Sequence, residues 1–212
     1  MNIVLIGASG FIGSALRKEA LARGHQVTAL VSNPAKLESA PNLTVKRTDV
    51  LDPASLGEYF AGHDAVISAF SGHAQQDVRA YYMQGMRSIV ASAKRFPKLR
   101  LLVVGGAGSL ETAPGKQVVD DPGFPAAWKA SAEGARDALN LLRAEPELDW
   151  TMLSPAAVVA PGQRTGKFRL GADQLLVGVS GKSEISVEDY AVAMIDELER
   201  PAHRRQRFTV GY

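Results

Sequence analysis

Short apolar runs alternate along this chain with longer stretches in which apolar residues return every three to four positions. Apolar or β-branched runs at 2–6, 26–31, 43–46, 65–69, 100–104, 149–153 and 207–211 predict strands, and the segments 11–23, 53–61, 78–95, 126–143 and 187–198 predict helices. Strands alternating with helix-length segments point to an α/β fold, a doubly wound parallel sheet of about seven strands covered by helices on both faces. In the first helix Ile12, Leu16 and Ala20 fall four apart with Ala15 beside them. One stripe is therefore expected on the sheet, with Arg17, Lys18 and Arg23 in water. Gly24 follows where a left-handed cap is needed.

Two regions break the alternation. Residues 105–125 carry Gly, Pro and the adjacent Asp120 and Asp121, and the glycine-rich residues 161–186 contain short apolar pieces at 167–170 and 174–177. Both read as long loops or small hairpins, and unstructured segments of that length inside a compact domain are usually functional. Both follow strands whose C-terminal ends share one edge of the sheet, the edge at which ligands sit in open parallel sheets. No internal repeat or low-complexity linker divides the chain, so 1–212 is expected to form one domain, with 161–186 as an insertion.

Between the first strand and first helix lies Gly7-Ala8-Ser9-Gly10-Phe11-Ile12-Gly13. In such a loop the first glycine permits a tight turn, the second lets the backbone approach a pyrophosphate, and the third lets helix and strand pack closely. The free N–H groups at the helix start, those of Phe11, Ile12 and Gly13, then face phosphate, helped by the positive end of the helix dipole. Ser9 suits a phosphate hydrogen bond or a small turn. A strand before and an amphipathic helix after make this a dinucleotide-binding loop rather than a lone glycine triplet.

The second strand's end bears on which dinucleotide. An acid there would hold the 2′-hydroxyl of NAD(H), but the chain runs Val31-Ser32-Asn33-Pro34 with Lys36 soon after. Ser32, Asn33 and Lys36 can donate to a 2′-phosphate, which favours NADP(H) over NAD(H). Asp49 and Val50 after the third strand and Ala69, Phe70 and Ser71 after the fourth are placed to meet the adenine and the inner ribose-phosphate. For Asp49, a loop or helix cap is an equal alternative.

Composition removes other classes. Of 212 residues 46% are hydrophobic and 22% charged, ordinary values for a globular protein, and no apolar run approaches the roughly 18 residues that cross a bilayer. No basic, cleavable leader precedes the first apolar run, so a cytoplasmic location is expected. The absence of cysteine excludes disulfides, thiolate nucleophiles and cysteine-bound zinc, and histidines at 25, 63, 73 and 203 lack metal-ligand spacing. No metal site is expected, and Asp120-Asp121 reads as loop solvation. A net charge of +2 argues against nucleic acid, and the basic run His203-Arg204-Arg205-Gln206-Arg207 reads as a solvated turn before the last strand. The expected partner is a small molecule, without membrane or nucleic acid; monomer and homodimer both remain open.

Six segments together resemble one family: GASGFIG at 7–13, DVLDPASL at 49–56, DAVISAF at 64–70, LLVVGGAGSL at 101–110, DWTMLSPA at 149–156 and ISVEDYA at 185–191. They are similar to the atypical short-chain dehydrogenase/reductases, in particular to proteins proposed as NADH-flavin reductases and to NAD(P)-binding proteins like biliverdin reductase B and NmrA. The resemblance covers essentially the whole chain. It implies a Rossmann sheet of order 3-2-1-4-5-6-7, with the nicotinamide over the ends of strands four to six. Gly105, Gly106 and the turn through Pro155 and Ala156 would then border that ring. Members of this type often carry an arginine where this chain has Ser32.

Typical short-chain dehydrogenases pair a tyrosine with a lysine four residues on, whose ammonium lowers the phenol pKa for proton transfer. Here Tyr59, Tyr81, Tyr82 and Tyr190 are followed at that spacing by His63, Gly85, Met86 and Met194, and Tyr212 is the last residue given. The resemblance puts Trp128-Lys129 where that pair would lie, and Trp128 cannot act as an acid near neutral pH. Hydride transfer to a flavin or quinone needs no dedicated acid, because the reduced ring can take its proton from water. The expected activity is NAD(P)H-dependent reduction of a flavin, quinone or similar conjugated acceptor, with flavin as substrate rather than prosthetic group. Ser109 is the candidate to polarise the acceptor, His73 to donate or stack, and Trp128 to stack, against plainer roles as turn hydroxyl, exposed histidine and core aromatic. A non-catalytic, NmrA-like sensor of NADP(H) is the alternative.

Overall fold

The computed structural model describes residues 1–73 and 75–212. Its main sheet contains seven parallel strands in the order β3-β2-β1-β4-β5-β8-β12. These are β1 (Asn2–Ile6), β2 (Gln26–Val31), β3 (Leu43–Arg47), β4 (Ala65–Ser68), β5 (Arg100–Val104), β8 (Asp149–Pro155) and β12 (Gln206–Gly211). The implied order 3-2-1-4-5-6-7 is thus realised, with an antiparallel eighth strand, β10 (Arg169–Gly171), added against β12.

Helices cover both faces because the strands carry apolar side chains on both. Ile3 and Leu5 of β1 point into a core under α1 (Phe11–Ala22) and α5 (Val187–Glu199), whereas Val4 and Ile6 point into a second core. That second core lies under α2 (Pro53–Phe60), α3 (Val78–Ala93) and α4 (Ala126–Arg143). Each fully buried aliphatic side chain contributes about 1.5–3 kcal/mol relative to exposure. Local chemistry sets the helix starts. Asp52 accepts from the N–H of Ala54 and Ser55 with Pro53 at the first position, Asp77 accepts from Ala80, and Ser186 accepts from Asp189. In contrast, α1 starts at Gly10 with no side-chain cap.

The first-helix stripe packs as its spacing predicts, with Leu16 and Ala20 fully buried, and Gly24 adopts φ +80°. Arg23 departs from expectation. Instead of facing water, its guanidinium is largely buried and bonded to Glu19, Asp196 and Glu199 at 2.7–2.8 Å, tying α1 to α5. The basic run before β12 is also more than a solvated turn: Arg204 pairs with Asp149, His203 bonds Glu197 at 2.7 Å, and Arg207 is buried against Asp173. Neither long insertion is a bare loop. Residues 105–125 form the hairpin β6 (Glu111–Ala113) and β7 (Lys116–Gln117) between two short 3-10 turns. Residues 161–186 supply β10 and β11 (Glu184–Ser186), the latter pairing in parallel with β9 (Val158–Ala160). The two insertions meet where Glu111 N–H donates to the Asp173 carbonyl and Leu175 N–H donates to that of Glu111. Asp120 pairs with Arg136 and Asp121 caps the N–H of Gly123.

Candidate functional site

All seven parallel strands end on one edge, and the glycine loop stands at its middle, where β1 is flanked by β2 and β4. The Gly7 N–H donates to the Leu30 carbonyl at 3.0 Å, and the Ala69 N–H donates to that of Ile6 at 2.9 Å. The three glycines differ physically. Gly7 has φ +77°, and a Cβ on it would stand 2.6 Å from the Ala69 carbonyl oxygen. A Cβ on Gly13 would stand 2.1 Å from the Gly7 carbonyl oxygen, so this glycine sets the distance between α1 and β1. Gly10 is exposed and a Cβ there would meet nothing nearer than 3.3 Å. Its bare surface, together with the uncapped start of α1, leaves backbone N–H groups free for an anion. The residues present therefore fit a dinucleotide's pyrophosphate.

Around this loop the structure arranges the residues singled out in the sequence. Ser9, Gly10, Phe11, Ser32, Asn33, Lys36, Asp49 and Ser71 are exposed at the edge, and Ile12 is half-buried. Asn33 accepts the Ala35 N–H and thereby caps a 3-10 turn, and Asp49 accepts that of Leu51 at 2.9 Å, the loop cap held open as its alternative. Several placements correct the sequence reading. The Val50 side chain is buried in the second core and that of Ala156 in the first, and Pro155 is buried as the last residue of β8, so only their backbones border the edge. The Phe70 ring packs inward on Tyr81 and Tyr82, and a Cβ on Gly85 would lie 2.3 Å from it. Gly105 and Gly106 follow β5, where Gly105 N–H donates to the Leu153 carbonyl at 2.8 Å.

Ser109 is 2% exposed, and its hydroxyl faces the buried guanidinium of Arg207 at 3.4 Å, a contact shared with Ser154. That removes it from the open edge and makes it part of the clamp under the β5 loop. Trp128 is 60% exposed, so it is not a core residue, and its ring stands edge-on to His73 at 6.3 Å. These two side chains, distant in sequence, form an aromatic rim between the β4 loop and the start of α4.

One basic residue was missed. Arg47 ends β3 directly opposite Val31 in the β2–β3 register, and it is exposed next to Ser32. No motif marks it; only the strand register brings it there. Tyr190, by contrast, donates to the Leu153 carbonyl at 2.7 Å beneath the edge, and burial holds its hydroxyl well above the usual phenol range. Among the described residues no three His, Asp or Glu side chains gather as a metal ion requires, and no helix is long and apolar enough to cross a membrane.

A glycine loop at the centre of a doubly wound sheet defines a Rossmann-type dinucleotide-binding protein. The chain belongs to the NAD(P)H-binding family, whose profile matches residues 7–201. It is similar to the crystal structure of a proposed epimerase from Bacteroides thetaiotaomicron, at 46% identity and TM-score 0.93, covering 100% of this chain and 96% of that one. A protein of Burkholderia pseudomallei described as exported shares 47% identity at TM-score 0.90, with all of both chains covered. A proposed NADH-flavin reductase of Streptococcus pneumoniae shares 32% identity at TM-score 0.84, over 100% of this chain and 99% of that one.

Proposed function

We propose that this protein is an NAD(P)H-dependent reductase that passes a hydride to a flavin, quinone or similar conjugated acceptor. The observation that carries the reading is the aromatic rim of Trp128 and His73 beside the dinucleotide edge, in a chain without a tyrosine–lysine relay. An exposed tryptophan offers a flat ring a face on which to stack. When bound, the nicotinamide supplies the hydride. The chain's part is to hold the phosphates on the N–H groups after Gly10 and to present the acceptor along the rim. Proximity of that kind accelerates transfer without an acid of the protein's own. Likeness to the pneumococcal protein, proposed as an NADH-flavin reductase, supports the same chemistry.

NADPH is the favoured donor. Arg47 pairs with Val31 beside Ser32, Lys36 follows four residues on, and no acid directly follows the second strand, an arrangement that suits a 2′-phosphate.

The test follows absorbance at 340 nm with NADPH and with NADH, each with FMN, FAD, riboflavin or a simple quinone, against enzyme-free rates. Saturable consumption selective for NADPH is expected. Flat traces with every acceptor would overturn the reductase. Tight, equal binding of both redox forms without turnover would then favour the NADP(H) sensor. Interconversion of a nucleotide sugar without net cofactor consumption would favour the epimerase chemistry proposed for the Bacteroides protein.

A further inference from the structure

The hydroxyl of Tyr82 has no role in anything described above. Tyr82 lies one turn into α3, 7% exposed, with its ring stacked on Phe70 at 5.9 Å and bordered by α4, where a Cβ on Gly134 would stand 3.3 Å from it. Helical side chains lean toward the helix N-terminus, and α3 begins just after the loop that leaves β4. The phenol is therefore aimed at the strand-end edge.

Buried phenols ordinarily find a hydrogen-bond partner, as Tyr190 does at the Leu153 carbonyl. The Tyr82 hydroxyl has none among the described residues, where burial alone perturbs it. Nor does it belong to the unpartnered side-chain atoms that are sealed from solvent, such as the hydroxyls of Ser68 and Thr209. An unpartnered atom that is not sealed touches an opening. Gly134, which borders the Tyr82 ring, is followed by Ala135, whose Cβ would stand 3.0 Å from a Cβ on Gly106 just after β5, and the neighbouring Gly105 N–H donates to the Leu153 carbonyl of β8. The unused donor thus looks onto the ends of β5 and β8.

We propose that the Tyr82 hydroxyl donates a hydrogen bond to a ring-borne carbonyl oxygen of the ligand held over the ends of β5 and β8. The assignment rests on the cofactor-binding reading of this edge. Burial holds the phenol well above its usual pKa, so it stays neutral through the physiological range and acts as a fixed donor that keeps its proton. Two sources present the required oxygen, the carboxamide of the nicotinamide and a carbonyl of the acceptor ring.

Tyr82→Phe keeps the ring and its stacking and deletes only the hydroxyl. Wild type and variant are titrated with NADPH by its fluorescence, with adenosine 2′,5′-bisphosphate by calorimetry, and with riboflavin after saturation with NADP⁺. The expected result is about tenfold weaker binding of one ring ligand, unchanged from pH 6 to 9, with the bisphosphate bound equally. Loss confined to NADPH assigns the carboxamide, and loss confined to riboflavin assigns the acceptor. Equal affinities of the two proteins for both ring ligands overturn the Tyr82 assignment alone, as does a difference that vanishes at one end of the pH range. A wild type that binds neither NADPH nor NADP⁺ overturns the cofactor reading and this proposal together. A wild type that binds but does not turn over removes only the reductase.

Discussion

Gly7, Gly10 and Gly13 look alike in the sequence but are constrained by different neighbours. Alanine at position 13 must move the Gly7 carbonyl, 2.1 Å from the new Cβ, and so pushes α1 off β1. Gly13→Ala should cost about 2–3 kcal/mol in chemical denaturation, the range of an overpacked core, and lose NADPH binding as well. Gly10→Ala puts its methyl 3.3 Å from the Gly7 carbonyl oxygen at φ −76°, a tight contact relieved by a shift of a few tenths of an ångström. Its stability should stay within about 1 kcal/mol of wild type, while calorimetry shows NADPH affinity falling at least tenfold, because the methyl occupies the surface a phosphate needs. If Gly10→Ala binds NADPH as wild type does, the phosphates do not lie on this loop. The glycine spacing was legible in the sequence because it repeats a backbone requirement. The accessibility of Trp128 and the Tyr82 hydroxyl, unpartnered among the described residues, were not, since each depends on how a helix is rotated against its neighbours. Ser109 misled for the same reason: a Gly-Ser loop after a strand reads as open edge, and only the approach of Arg207 from β12 closes it.

At the scale of elements, strand register decides what periodicity cannot. Pairing of Val31 with Arg47 carries a cation from β3 to the end of β2, where the sequence shows only Ser32, Asn33 and Lys36. Arg47→Ala should therefore weaken NADPH about tenfold, the value of one charge-assisted contact to phosphate. NADH affinity should be unchanged; an equal loss for both cofactors in fluorescence titration would remove Arg47 from 2′-phosphate recognition. The ISVEDYA segment gives a second case. Its likeness to the family was plain, yet its residues act in the fold. Ser186 caps α5, Glu188 accepts the Gly162 N–H at 2.9 Å, and Asp189 accepts the Thr165 and Gly166 N–H groups at 2.8 Å and the Tyr212 hydroxyl at 2.8 Å. One helix start thus fastens residues 162–166 and the final tyrosine. Residues 161–186 read only as a long loop or small hairpin in the sequence because their strands are three residues long and their order comes from partners far away in sequence.

Across the whole molecule, carboxylates fasten the helices to their neighbours: Glu197 ties α5 to β5, Glu19 and Glu199 tie α1 to the insertion and to α5, and Asp189 holds residues 165–166 and Tyr212. Glu197 of α5 is 4% exposed and bonds Arg100 of β5, the His203 ring at 2.7 Å and the His203 N–H at 3.0 Å. Arg100 in turn donates to Thr151 of β8 at 2.9 Å. Glu19 is bonded by Arg164 and Arg23, and Glu199 by Arg23 and His25. For Glu19 the bonds from Arg164 dominate and lower its pKa. Burial raises those of Asp189, Glu197 and Glu199, but the hydrogen bonds each accepts outweigh it, so all four lie below the ordinary carboxylate value. Because the folded pKa is the lower one, the unfolded chain binds more protons through the acid range. These groups contribute fully above the unfolded carboxylate pKa, and that stability is lost as pH falls through it toward the folded values. The denaturation midpoint should be level from pH 6 to 7.5 and drop steeply below about pH 4.5. Glu197→Gln leaves Arg100 buried without its counter-charge, at a cost of about 3–5 kcal/mol, or roughly 10 °C in Tm at neutral pH. With that carboxylate gone, the acid slope should also become shallower. Since the cluster lies where β5 and β8 begin and the glycine loop lies where the strands end, the variant should keep wild-type NADPH affinity at temperatures where it is folded. Weakened binding at full folding would mean that the two ends of the sheet are coupled.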